Sequence, residues 1–280
     1  MKFNPYIQTE ETIQNRIQAI QNTELNADEL YLAWNTIFSC IDLTTLEGSD
    51  NTNKINELCG LTDHFADQLN GRNVAAVCVY IPFIRQSRAL LKNTNLKVAT
   101  VACAFPSGQL PLHLKLDEVR YAVNEGADEI DMVISRGKMI EGDFDAVYDE
   151  VSQVKNACGN AHLKVILETG ELKTVSLIRK ASELAIQGGA DFIKTSTGKI
   201  NPAATPEAVV VMLDTIQEYY NATGIRIGLK PAGGISEPET ALLYYKLVKE
   251  IVGEEWLNNN LFRIGASRLA DKMKVILRSQ

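Results

Sequence analysis

The sequence predicts an α/β protein, a closed (β/α)8 barrel of the TIM type with extra helices at its amino terminus. Three observations carry this expectation. Eight short apolar, largely β-branched runs alternate with stretches of helical period from residue 38 to the end. No proline- or glycine-rich linker interrupts them, and the 280 residues are close to the roughly 250 that such barrels use as one domain. Nor does a G-x-G-x-x-G follow the first run, as an open doubly wound sheet with a dinucleotide site would require.

Taken in order, the predicted strands are FSCIDL (38–43), VAAVCVY (74–80), KVATVAC (97–103), DEIDMVI (128–134), LKVILE (163–168), DFIKTS (191–196), IRIGLK (225–230) and LFRIGA (261–266). Between the first two, Ile55, Leu58, Thr62, Phe65 and Leu69 recur at helical spacing, and Val175, Ile178 and Leu184 nearly do so before the sixth. Pro82, Pro206 and Pro238 fall where helices should start, since a missing N–H costs little in a first turn. The tripeptide Gly-Ala-Asp occurs at 126–128 and again at 189–191, each time leading into a strand. A glycine there can take the left-handed conformation that stops a helix, so the repeat marks a helix-to-strand corner. Residues 1–37 lie outside the repeat and read as a helical extension, TEETIQNRIQAIQ and ADELYLAWNTI, expected to cap the amino-terminal end of the barrel formed by residues 38–280.

Composition excludes several classes of function. Against 35 Asp and Glu stand 28 Lys and Arg, a net charge of −7 without the basic surplus that nucleic-acid binding needs. Cys40, Cys59, Cys78, Cys103 and Cys158 are unequally spaced with no C-x-x-C, which fits neither a disulfide framework nor a zinc site. His64, His113 and His162 have no ligand spacing and are expected in surface or packing roles. No G-x-S-x-G elbow of a serine hydrolase is present. Without an apolar leader or a run of about 18 apolar residues, the chain is expected to be soluble and cytoplasmic, with no membrane partner.

Asp42, Cys78, Asp131, Glu168, Lys194 and Lys230 each stand at or near the end of a predicted strand. In a parallel barrel all carboxyl ends lie on one face, so these side chains can converge. One lysine at a strand end is ordinarily a solvated residue. Two on successive strands repel unless one gives up its proton, and desolvation beside a second ammonium lowers a lysine's pKa enough to make it a nucleophile near neutral pH. Glycine loops follow the last three strands: TSTGK (195–199), PAGGIS (231–236) and GASRLA (265–270). Each alone could be a tight turn. Together, with a helix start after the last, they form the phosphate cradle that this fold commonly carries.

The strings DLTTL (42–46), GADEIDMV (126–133), LKVILETGELK (163–173), GADFIKTSTGK (189–199), GLKPAGGIS (228–236) and FRIGAS (262–267) resemble the deoxyribose-phosphate aldolases, from about residue 38 to the carboxyl end. The resemblance implies a class I aldolase that reversibly cleaves 2-deoxy-D-ribose 5-phosphate to D-glyceraldehyde 3-phosphate and acetaldehyde, with no metal and no cofactor. It implies Lys194 as the Schiff-base lysine, Lys230 as the lysine that lowers its pKa, and Asp131 as the acid/base acting through a water. Asp42 and Lys164, expected on neighbouring strands and pointing inward, support them, as do Thr44 and Cys78, the latter more as a packing thiol than a reactive one. Thr197, Gly198, Lys199, Gly233, Gly234 and Ser267 match the phosphate loops. A phosphosugar is the implied partner, together with a homodimer. Three departures stand out: Ser236 replaces an arginine while Arg268 replaces a serine, the third-strand loop reads CAFPSG without an asparagine, and the tail LRSQ lacks a tyrosine. Arg268 is expected to supply the phosphate charge missing at 236. Two alternatives stay open, another Schiff-base phosphosugar aldolase on the same barrel and a non-catalytic sugar-phosphate-binding barrel.

Overall fold

In the computed structural model, which describes residues 1–93 and 95–279, the chain runs through α1 (Glu10–Gln21) and α2 (Ala27–Ser39) into β1 (Ile41–Thr44). Gln280, the end of the LRSQ tail, lies outside the described residues. Then follow α3 (Thr52–Gln68), β2 (Ala76–Val79), α4 (Ile84–Leu90), β3 (Lys97–Ala102), α5 (Leu112–Asn124) and β4 (Glu129–Val133). Next come α6 (Arg136–Glu141), α7 (Phe144–Cys158), β5 (His162–Ile166), α8 (Thr169–Leu172), α9 (Val175–Gln187) and β6 (Phe192–Lys194). The chain ends with α10 (Pro206–Thr223), β7 (Gly228–Lys230), α11 (Pro238–Ile251), β8 (Ile264–Ala266) and α12 (Leu269–Arg278). Eight parallel strands pair in sequence order, β8 pairs with β1, and bridges from Leu229 to Phe262 and from Ala232 to Gly265 close the ring between β7 and β8. Each observed strand overlaps its predicted run. The first run is the least well placed, because Phe38 and Ser39 are the last turn of α2.

Strand residues alternate between two surroundings, as a pleated strand requires. Leu43, Val77, Ile130, Met132, Leu163, Val165, Ile193, Leu229 and Ile264 join the core that packs outward against the helices. The residues between them face inward. On the β2 and β3 side the interior is apolar, built from Ala76, Cys78, Ala99 and Val101 with Leu46, Tyr80 and Phe105. On the β4 to β8 side it is charged. Phe192 fills the space there: a methyl group at Gly228 would lie 2.3 Å from its ring, and the Lys164 ammonium and the Arg263 guanidinium each stand 5.9 Å from its centroid.

The Gly-Ala-Asp corners do more than stop helices. Gly126 and Gly189 have φ of 101° and 95°, as a left-handed stop requires. The aspartates then reach back: Asp128 accepts from the backbone N–H of Val98 at 2.8 Å, and Asp191 from that of Leu163 at 2.7 Å. Each is also paired with a cation, Arg88 and Lys155 respectively. Pro206 and Pro238 sit in the first turns of α10 and α11, where they were expected.

The amino-terminal extension is a correction to the sequence expectation. It does not cap the barrel's end but lies against its flank, α1 on α10 and α11, and α2 on α11 and α12. Ile13, Ile17 and Ile20 of α1 are buried in the same core as the barrel helices, and Arg16 holds Asp214 of α10 through two bonds of 2.7 and 2.8 Å. The expected boundary at residue 37 falls inside α2, which runs almost directly into β1. Among the described residues no helix is long and apolar enough to cross a membrane.

Candidate active site

Asp131, on the inner face of β4, is the point where the charged strands meet. Its Oδ2 accepts from the ammonium groups of Lys194 and Lys230, each at 2.6 Å, and its Oδ1 from Lys164 at 3.1 Å. Lys230 also pairs with Asp42, and Lys164 with Glu129. Arg263, just before β8, closes the lattice with bonds of 2.6 Å to both Asp42 and Glu129. All seven side chains are buried, Lys194 at 3% exposure and Asp131 at 0%. Asp42 and Lys164 do point inward as expected, but they are not on neighbouring strands: β1 and β5 lie across the ring, and the two charges face each other at 3.9 Å.

Burying ions is expensive unless their charges balance. Asp42, Glu129 and Asp131 offer three negative charges, whereas Lys164, Lys194, Lys230 and Arg263 offer four positive ones. One cation is in excess, so one proton is expelled at least cost. Arg263 cannot yield it, since burial is outweighed by Asp42 and Glu129 and its pKa rises. Lys230 does not, because Asp131 and Asp42 outweigh its desolvation and raise its pKa. The Lys194 shift runs the other way: burial pulls its ammonium below the ordinary lysine range, Asp131 opposes this, and Lys230 pushes it down further. Asp131 stays ionised because Lys164, Lys194 and Lys230 overcome its desolvation and hold it well below the usual carboxylate range. Cys78, fully buried among Ala76, Ala99 and Val101, is a packing thiol whose pKa burial pushes up.

Above this lattice opens a cavity of about 1050 Å³. Lys194 reaches its floor, and Thr44, Thr197, Gly198, Lys199, Gly233, Gly234, Ser267 and Arg268 line it together with Ser236 and His64. The structure thus brings together every predicted phosphate-loop residue. The loops after β6 and β7 are zipped: Ser196 Oγ donates to the Ala232 carbonyl at 2.8 Å and Thr195 Oγ1 accepts from the Ala232 N–H at 3.0 Å. Gly233, at φ 83°, lies so close that a methyl group there would sit 2.9 Å from the Cα of Gly198 and 2.7 Å from Ala203. Only glycine suits that position. The start of α12, at Arg268, carries no side-chain cap. Thr197 is the exception among the loop residues, since its backbone N–H and its hydroxyl both donate to the buried Glu168.

Sequence reading missed Glu129 and Arg263. The signal for the first was its place two residues before Asp131, on the same strand face. Arg263 stands outside a strand end and shows itself only once the ring is closed.

A buried lysine whose pKa is drawn down beside a fixed carboxylate, at the floor of a glycine-lined cavity on a barrel's carboxyl-terminal face, defines a site suited to carbonyl chemistry. Comparison with known proteins gives the family. Residues 36–251 match the model of the DeoC/LacD family aldolases. A human protein named deoxyribose-phosphate aldolase is 44% identical over 266 residues, covering 91% of this chain and 84% of its own. A solved structure from Coccidioides immitis superposes with a TM-score of 0.74 at 27% identity, over 97% of this chain and 98% of that one. At 24% identity, the tetrameric deoxyribose phosphate aldolase of Aeropyrum pernix shares the fold with a TM-score of 0.66, over 91% of this chain and 99% of that one. The chain belongs to the DeoC/LacD family aldolases and is accordingly a carbon–carbon lyase.

Charge balance makes opposite predictions for two partners in one ion pair. Asp131→Asn strands buried cations and should cost about 3 kcal/mol in urea unfolding at neutral pH, whereas Lys194→Met leaves three charges of each sign and should be neutral or stabilising. Equal losses in the two variants contradict the balance.

Proposed function

We propose that the protein reversibly cleaves 2-deoxy-D-ribose 5-phosphate into D-glyceraldehyde 3-phosphate and acetaldehyde through a Schiff base on Lys194. The observation that carries this reading is the buried Lys194 amine, held 2.6 Å from Asp131 at the base of the glycine-loop cavity. The human relative's name, at 44% identity over 266 residues, supports the choice of substrate.

The open-chain sugar presents an aldehyde at C1. Neutral Lys194 attacks that carbon, and loss of water gives an iminium. Its positive nitrogen accepts the electron pair of the C2–C3 bond as that bond breaks, while the C3 hydroxyl proton leaves to Asp131 through a water. Glyceraldehyde 3-phosphate departs, the enamine takes a proton at C2, and hydrolysis returns acetaldehyde and the amine. Lys230 remains an ammonium throughout and supports Asp131 electrostatically. Asp42, Lys164, Glu129 and Arg263 fix these groups before substrate arrives, so little reorganisation accompanies the change in charge. Gly198, Lys199, Gly233, Gly234, Ser267 and the start of α12 hold the phosphate, and Arg268 on the same wall adds the charge that Ser236 lacks. The same reading places the enzyme in deoxyribonucleotide catabolism in the cytoplasm, as a homodimer, on the strength of the family resemblance.

Borohydride reduction in the presence of acetaldehyde should leave an N-ethyl group on Lys194 in the wild type and none in Lys194→Ala. No adduct on Lys194, or the same yield from the alanine variant, defeats the mechanism. For Arg268→Ala, the preference for deoxyribose 5-phosphate over deoxyribose in kcat/KM should fall about tenfold, the size expected for one charge-assisted hydrogen bond. An unchanged preference removes Arg268 from the phosphate site.

A further inference from the structure

Glu168 follows β5 at the same end of the barrel as the reacting groups, yet its carboxylate takes no part in the Asp131 lattice. Its backbone is left-handed, at φ 57° and ψ 58°, and its side chain is fully buried. A side-chain-bearing residue in that conformation and a carboxylate out of water both cost stability, and such features persist where their surroundings fix them for a purpose. Both oxygens hold Thr197: Oε1 accepts from the Thr197 N–H at 3.2 Å and Oε2 from the Thr197 hydroxyl at 2.5 Å. The Thr197 hydroxyl in turn accepts from the Lys199 N–H at 3.1 Å.

The grip extends to neighbouring loops. Arg136, at the start of α6, lies 3.5 Å from Glu168 and 2.9 Å from Glu171, and it donates to the carbonyls of Pro106 and Ser107 at 3.1 and 2.8 Å. Thr169, next to Glu168, donates its N–H to the Thr195 carbonyl at 2.9 Å. The turn of α8 packs closely on the far side of the same loop, where a methyl group at Gly170 would lie 2.0 Å from the Pro202 carbonyl oxygen. Loops after β3, β4, β5 and β6 are therefore joined by hydrogen bonds and ion pairs, with Glu168 and Arg136 at the joints.

We infer that Glu168 is a positioning residue that locks the 197–199 loop for the substrate phosphate, with Thr197 its latch and Gly198 and Lys199 the groups presented to the ligand. Both Thr197 donors point to Glu168, so Thr197 acts on the phosphate through the shape of the loop. This rests on the phosphosugar reading above.

Two variants and two measurements test it. Glu168→Gln removes the charge. Glu168→Asp keeps the charge and tolerates the left-handed backbone while drawing the oxygens back from Thr197. Titration with inorganic phosphate reads the loop without any turnover, and in both variants its affinity should fall about tenfold, as for loss of one hydrogen bond to a charged group. KM for deoxyribose 5-phosphate should rise by a similar factor while kcat changes by no more than about threefold, and turnover of unphosphorylated deoxyribose should be spared. A purely structural role would instead lower the melting temperature and depress both substrates alike with phosphate affinity intact, and that result overturns the inference, as does a wild type that binds no phosphate. If the wild type turns over neither sugar, the phosphosugar reading fails, while the phosphate titration still decides the role of Glu168.

Discussion

One carboxylate organises this molecule. Asp131 meets three lysines inside the barrel, and what those lysines can do follows from how many charges share the space. With Asp42 and Glu129 the acids number three, and with Arg263 the cations number four. A buried lattice with one charge too many settles by releasing a proton from its least supported member. Lys230 touches two carboxylates and Arg263 touches two, whereas Lys194 touches Asp131 alone and stands at the floor of the cavity. Reactivity and position thus have the same origin.

Such a lattice weakens the fold that carries it, since desolvating ions is seldom repaid in full by their attraction. The surrounding architecture offsets that cost. Outward-facing strand residues, the barrel helices and the isoleucines of α1 form one continuous apolar core, and the Asp128 and Asp191 corners pin the starts of β3 and β5. Rigidity extends to the upper rim, where the zipped loops after β6 and β7 and the strut of Arg136, Glu168 and Thr197 fix the cavity wall to which the proposed function assigns the phosphate.

The sequence makes much of this legible for a physical reason. A parallel barrel repeats a simple unit, so β-branched runs, the Gly-Ala-Asp corners and the prolines at helix starts announce its order, and residues at strand ends must share a face. Lys194, Lys230, Asp131 and the glycine loops were readable on that ground. What stayed hidden depends on closure. Arg263 and Glu129 are far apart in the chain and meet only when β8 and β4 face each other, and Asp42 meets Lys164 across the ring and not beside it. Phe38 and Ser39 read as strand because they lead directly into the apolar run of β1, and a short run of this kind looks the same whether a helix ends or a buried strand starts in it. The flank position of α1 and α2 rests on pairs such as Arg16 and Asp214, which no local pattern reveals.

The central claim is that Lys194 alone carries the proton deficit of the lattice. NMR titration of protein labelled with carbon-13 at lysine Cε reads each ammonium separately, and the Lys194 signal is identified by its absence in Lys194→Met. The account predicts that this signal titrates clearly below the ordinary lysine range while Lys230 stays protonated through the accessible range. A Lys194 signal that titrates with the surface lysines, or a Lys230 signal that moves first, contradicts it.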